Sequence, residues 1–111
     1  MATIDQIYDI VKDRTWQGKI PWERTARADT FSAVFGGQSI TLRRDSSSAL
    51  IGGTPRLLFR VLDATGSVLD RVVIKLNDSE EAMAFFDLVK RYALQIDEQL
   101  ETLLKNLETE Q

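Results

Sequence analysis

Apolar positions recur along this chain with two different periods, and the change from one to the other divides it into elements. Ile4, Ile7, Tyr8 and Val11 fall at helical spacing and predict an amphipathic helix over Ile4–Arg14. Thr3, with Gln6 three residues on, has the pattern of a capping box, in which hydroxyl and amide satisfy each other's backbone N–H. Gly18 suits the closing residue of that helix, and Pro21 forbids its continuation. A helix this short needs tertiary packing to persist.

The period then becomes two. Thr30–Phe35 and Gln38–Arg44 alternate around Gly36-Gly37, a strong signal for a two-residue hairpin turn. That turn sets Phe35 opposite Gln38, Ala33 opposite Ile40 and Phe31 opposite Leu42. Their apolar side chains share one face, while Ser32, Val34, Thr41 and Arg43 share the other. Arg56–Asp63 and Ser67–Leu76 predict a second hairpin around Ala64-Thr65-Gly66. Placing Asp63 against Ser67 brings Arg60 opposite Asp70 and Leu62 opposite Val68. Leu57, Phe59, Val61, Leu69 and Val73 then share one face, and Leu58, Leu62, Val68, Val72 and Ile74 the other. Both faces are apolar, so these strands are expected to be central or covered by a second chain.

Helical spacing returns over residues 78–109. Asn77, Asp78 and Ser79 offer a cap, and Glu80 and Glu81 suit the positive end of the helix dipole. From Ala82 the series Phe86, Val89, Ala93, Ile96, Leu100, Leu103, Leu107 alternates steps of three and four, the spacing of a coiled-coil seam. Such a helix would be roughly 45 Å long, more than a small domain needs to cover one sheet. Its C-terminal part is expected to project, with Ile96, Leu100, Leu103 and Leu107 as a contact surface.

Two stretches lack a period. Trp16–Thr25 is a connector holding both tryptophans, expected either to cap the core or to offer an anchor to a partner, with Trp16 and Trp22 as interface candidates. Asp45–Pro55 is rich in Ser and Gly and is expected to be a mobile loop whose Leu50-Ile51 tip is either tucked in or exposed. Its Gly-Gly pair lacks the Lys-Ser/Thr of a phosphate-binding loop. The expected architecture is α+β in the order α-β-β-β-β-α: a four-stranded antiparallel meander packed by a short and a long helix, with residues 1–111 as a single domain.

Composition narrows the chemistry. The 111 residues contain no His and no Cys, which excludes disulfides, classical zinc sites, Cys nucleophiles and His-based acid–base pairs. Asp78–Glu81 reads as cap and dipole chemistry rather than a metal cluster, and Asp97, Glu98 and Glu101 as a solvated helix face. Ser46–Ser48 has no base to activate a nucleophile. The expectation is a non-enzymatic protein without cofactor or metal. An enzyme resting on carboxylates ranks last. No apolar run approaches a membrane span, and Met1–Ile10 is too polar and acidic for a signal peptide.

Charge is uneven. Residues 1–60 hold nine basic and six acidic side chains, and residues 61–111 hold five and eleven. Arg24, Arg27, Arg43, Arg44 and Arg56 lie in or beside the first hairpin with Trp16, Trp22 and Phe31 nearby, the ingredients of a single-strand nucleic-acid binder. The layout also resembles, in architecture alone, that of the whirly single-strand DNA-binding domains. A net charge of −3 weighs against this alternative, because phosphate affinity comes mainly from cations. In the competing view Phe31 is core and the arginines form a solvated strand face.

Gly18-Lys-Ile-Pro-Trp22-Glu-Arg-Thr25, the Val61–Leu69 segment and Leu88–Asp97 leading to a Leu-rich end together resemble a group of short bacterial and mobile-element proteins. These share a Gly-Lys-x-x-Trp-Glu-x-Thr connector, a strand meander and a closing helix. The resemblance implies a bacterial, cytoplasmic protein and brings no known activity with it. The expected function is therefore a small interaction or regulatory module that forms a homodimer through its C-terminal helix and binds another protein. Antiparallel pairing is preferred, since parallel pairing would gather Glu101, Glu108 and Glu110.

Overall fold

The computed structural model describes residues 1–45, 55–76 and 80–109. Helix α1 (Ile4–Trp16) opens the chain, and the predicted capping box is present. The Thr3 amide donates to Gln6 Oε1 at 2.9 Å, and the Gln6 amide to Thr3 Oγ1 at 3.2 Å. At the other end Gly18, with φ of 72°, closes the helix. Its N–H bonds the Thr15 carbonyl at 3.0 Å while that of Lys19 bonds Arg14 at 2.9 Å, the paired bonds of a Schellman motif.

Five strands follow: β1 (Glu23–Arg24), β2 (Thr30–Phe35), β3 (Gln38–Asp45), β4 (Arg56–Leu62) and β5 (Val68–Lys75). They form one antiparallel sheet in sequence order, followed by helices α2 (Glu80–Ala93) and α3 (Ile96–Thr109). The class is α+β, as the patterning implies, with one strand more than the four expected. The additional strand is β1, where two residues of the connector pair with Ser32 and Phe31. Two residues are too few to leave an alternating signal.

The first hairpin has the expected register, Phe35 opposite Gln38, Ala33 opposite Ile40 and Phe31 opposite Leu42. The second departs from expectation by one residue. Leu62 faces Val68, but Leu69 is bulged out and Val61 faces Asp70, so Arg60 stands opposite Arg71 rather than Asp70. Because side chains alternate, that single extra residue exchanges the faces of the rest of β5. Val72 and Ile74 join Phe59 and Leu57 on one face, and Val73 joins Leu58 on the other.

One face of the sheet carries the core. Phe31, Leu42, Leu57 and Phe59 pack under Tyr8 and Val11 of α1 and under Ala82, Phe85, Phe86 and Val89 of α2. The Tyr8 ring meets Phe59 and Phe85 edge-on, at centroid distances of 5.3 and 5.7 Å. Burial pushes its phenol up to about 12, helped by the nearby carboxylates of Glu81 and Asp9.

Residues 78–109 are not one helix. The chain breaks at Leu94-Gln95, where Gln95 takes a positive φ of 52°. No Gly or Pro marks the position, so the continuous heptad hides the break. The expected loop over Asp45–Pro55 with its Leu50-Ile51 tip, and the cap at Asn77–Ser79, fall largely or wholly outside the described residues.

Gly36 has a φ of 59° whereas Gly37 is not in that region. Gly36→Val should therefore lower the unfolding free energy in urea by about 1–3 kcal/mol. Gly37→Ala, whose new Cβ would meet only Ala64 at 3.9 Å, should change it little. Equal losses at both positions would refute this turn geometry. For Tyr8 the folded value lies above the ordinary 10.0, so its stabilisation is complete below pH 10 and is lost as pH rises through about 12. Ultraviolet titration should show a phenol ionising near 12 that disappears in Tyr8→Phe.

Candidate functional site

Both tryptophans begin in the connector or at its edge, and their fates differ. Trp22 is buried, and its indole N–H donates to Thr15 Oγ1 at 2.9 Å. The Thr15 hydroxyl in turn donates to the Val11 carbonyl at 2.7 Å. Trp22 is thus withdrawn as an interface candidate: its N–H needed a partner in the interior and found one. Trp16, the last residue of α1, is 53% exposed.

The elbow between α2 and α3 is held by local bonds. Gln95 N–H reaches the Tyr92 carbonyl at 3.2 Å, Gln99 N–H reaches Gln95 at 3.0 Å, and the Gln99 side-chain amide donates to the Leu94 carbonyl. Arg91 spans the bend to Asp97 at 2.6 Å. Beyond it α3 has no buried residue, and Leu100, Leu103, Leu104 and Leu107 are each 52–58% exposed. The heptad series is therefore used in two ways. Ala82, Phe86 and Val89 are buried in the core, whereas Leu100, Leu103 and Leu107 are bare. At 100° per residue these leucines and Leu104 form one stripe, with Asp97, Glu101 and Glu108 along one border.

The other face of the sheet also exposes apolar side chains, among them Val34, Val68 and Val73. Both described flanking helices, α1 and α2, contribute to the core on the Phe31–Phe59 face. Alternation from the observed register places Ser32, Thr41, Arg60 and Arg71 in one row across the opposite face. Thr30, Arg43, Leu58 and Val73 form the row on one side of it, and Val34, Ser39, Leu62 and Val68 the row on the other; Leu58 is buried, whereas Val34, Val68 and Val73 are exposed. Arg60 and Arg71 are like charges directly opposite each other, an unfavourable arrangement. Among the described residues no carboxylate lies within ion-pair distance of either.

Of the five arginines nominated for nucleic acid, only Arg43 and Arg56 share the open face. Arg43 is on this open face with its Nε 3.8 Å from Asp29 Oδ2. Arg44 alternates to the helix-covered face, opposite Leu57. Arg56 is held by Asp45 at 2.9 Å, Arg27 by Asp29 at 3.1 Å, and Arg24 lies on β1 opposite Phe31. The bond from Arg27 holds the Asp29 carboxyl below the usual range. Phe31 is core. Among the described residues the open face has no aromatic side chain. Arg60 and Arg71, which the sequence did not single out as a pair, are brought together by the bulge at Leu69.

Among the described residues no group of acidic side chains could hold a metal ion, and no helix is long and apolar enough to cross a membrane. No protein-family model, curated protein or solved structure matches the chain.

The left-handed backbone at Gln95 costs a non-glycine residue about 1–2 kcal/mol. Gln95→Gly should thus raise the unfolding free energy by up to about 1 kcal/mol, and Gln95→Val should lower it. A marked loss in Gln95→Gly, measured in urea, would show that the glutamine side chain itself holds the elbow.

Proposed function

We propose that this protein is a non-enzymatic interaction module that self-associates through α3, and that a further protein partner builds on the assembled form. One observation carries the proposal: a 14-residue amphipathic helix with no buried residue presents four half-exposed leucines beyond the end of the core. Each leucine leaves roughly 1 kcal/mol of burial unrealised, since full burial contributes about 1.5–3 kcal/mol. Extension of the molecule agrees with this. Its radius of gyration is 16.0 Å, against roughly 13 Å for a compact chain of this length. A second copy supplies the matching surface without new sequence, and two-fold dimers are the commonest homo-oligomers.

Catalysis draws no support from the titratable groups. The one large shift belongs to Tyr8 in the core; the others belong to the Arg27–Asp29 pair and to Asp63, whose carboxyl accepts hydrogen bonds in a turn. Nucleic acid as partner has less support than a protein, because the nominated arginines are dispersed and mostly paired. The likeness of the Gly18–Thr25 connector to bacterial proteins is the ground for placing its action in a bacterial cytoplasm.

Light scattering at micromolar concentration should report twice the chain mass. Leu100→Asp with Leu103→Asp should return the protein to monomer with its circular dichroism and thermal unfolding retained. A wild-type monomer across that range would overturn self-association.

A further inference from the structure

An exposed helix that self-associates needs a surface to receive it, and two are present: α3 of the second copy and the open face of its sheet. We propose that α3 of one copy lies across the open sheet face of the other, and reciprocally, so that a two-fold dimer covers both bare surfaces of each chain. This rests on self-association through α3 and identifies what α3 binds.

Charge is the first argument. The described α3 carries Asp97, Glu98, Glu101 and Glu108 against Lys105, a net −3. Pairing two such helices side by side would set −3 beside −3. The open sheet face has the opposite sign, with Arg43, Arg56, Arg60, Arg71 and Lys75 outnumbering Asp45, Glu23 and the rim residue Asp29. Arg60 and Arg71 lack carboxylates among the described residues of their own chain. Glu101 and Glu108, two turns apart along the leucine stripe, are carboxylates without a described ion pair.

Apolar coverage is the second. Val34, Val68 and Val73 on this face are 60%, 48% and 42% exposed and Leu62 is partly exposed, while Leu58 between them is already buried. Helix-on-helix pairing would cover the leucines of α3 and leave the three valines in water, whereas helix-on-sheet pairing covers both sets. Dimensions agree as well. Fourteen helical residues span roughly 21 Å, and the seven residues of β4 roughly 24 Å. A helix crossing the sheet would also bring carboxylates to the Arg60–Arg71 row, relieving the repulsion that the bulge creates.

The chain has no cysteine, so introduced thiols report contacts without interference. Leu104→Cys and Val73→Cys proteins, mixed and mildly oxidised, should form a mixed disulfide at least tenfold faster than Leu104→Cys forms one alone. Arg60→Glu with Arg71→Glu should weaken the dimer at least tenfold by light scattering. Adding Glu101→Arg and Glu108→Arg to that same chain should restore it, which loss of folding would not permit. A wild-type dimer whose Leu104→Cys variant crosslinks as fast alone as in the mixture, and whose mass is unchanged by the Arg60/Arg71 reversal, would overturn the helix-on-sheet arrangement while leaving self-association intact. A wild-type monomer would remove both. Retardation of a labelled single-stranded oligonucleotide by the Leu100→Asp/Leu103→Asp monomer, lost on the Arg60/Arg71 reversal, would also overturn the proposal, since the face would then serve a polyanion.

Discussion

A sheet has two faces, and the described residues of this chain supply one helical layer. That constraint governs the molecule. Phe31, Leu42, Leu57 and Phe59 are sealed by α1 and α2. Two short helices can do no more: α1 has 13 residues and α2 has 14, each about 20 Å long, enough for one side. Everything distinctive about the remaining surface follows from this. The far face is a mixture of aliphatic and guanidinium side chains, and the last helix leaves the core instead of closing it.

The layer that does form contains a short buried polar relay. The Trp22 indole, the Thr15 hydroxyl and the Val11 carbonyl join the connector to the last turns of α1. A buried indole N–H left without an acceptor would cost about 1–3 kcal/mol, so the relay specifies where the connector must run. That path delivers Glu23 and Arg24 to the edge of β2 as β1. Thr15 is fully buried, and its hydroxyl both accepts from the indole and donates to the preceding turn.

Much of this was legible from residue order alone. The capping box at Thr3 and Gln6, the closing Gly18 and the first hairpin are local devices in which pattern and turn chemistry agree, and all three stand as read. What escaped were features whose signal is not periodic. The bulge at Leu69 has no glycine to announce it, yet it turns over half a strand and creates the Arg60–Arg71 pair. The elbow at Gln95 interrupts an unbroken heptad, because a heptad records which side of a helix is apolar and says nothing of where the helix bends. Trp22 was ambiguous for a similar reason. Composition marks a tryptophan as important without saying whether its N–H will meet water or Thr15. The leucine stripe of α3 was legible as unsatisfied, but which aliphatic side chains the far face of the sheet exposes depended on a register that the bulge displaced.

The two rims of the sheet carry a further consequence. On one side β1 is two residues long; on the other, β5 is bent by its bulge and ends in Lys75. Short edges, bulges and lysines each discourage a neighbouring strand from adding to the ladder. A chain with this much bare aliphatic surface would otherwise be at risk of stacking rim to rim into an open-ended array. With its borders blunted, the sheet is poorly suited to growing strand by strand.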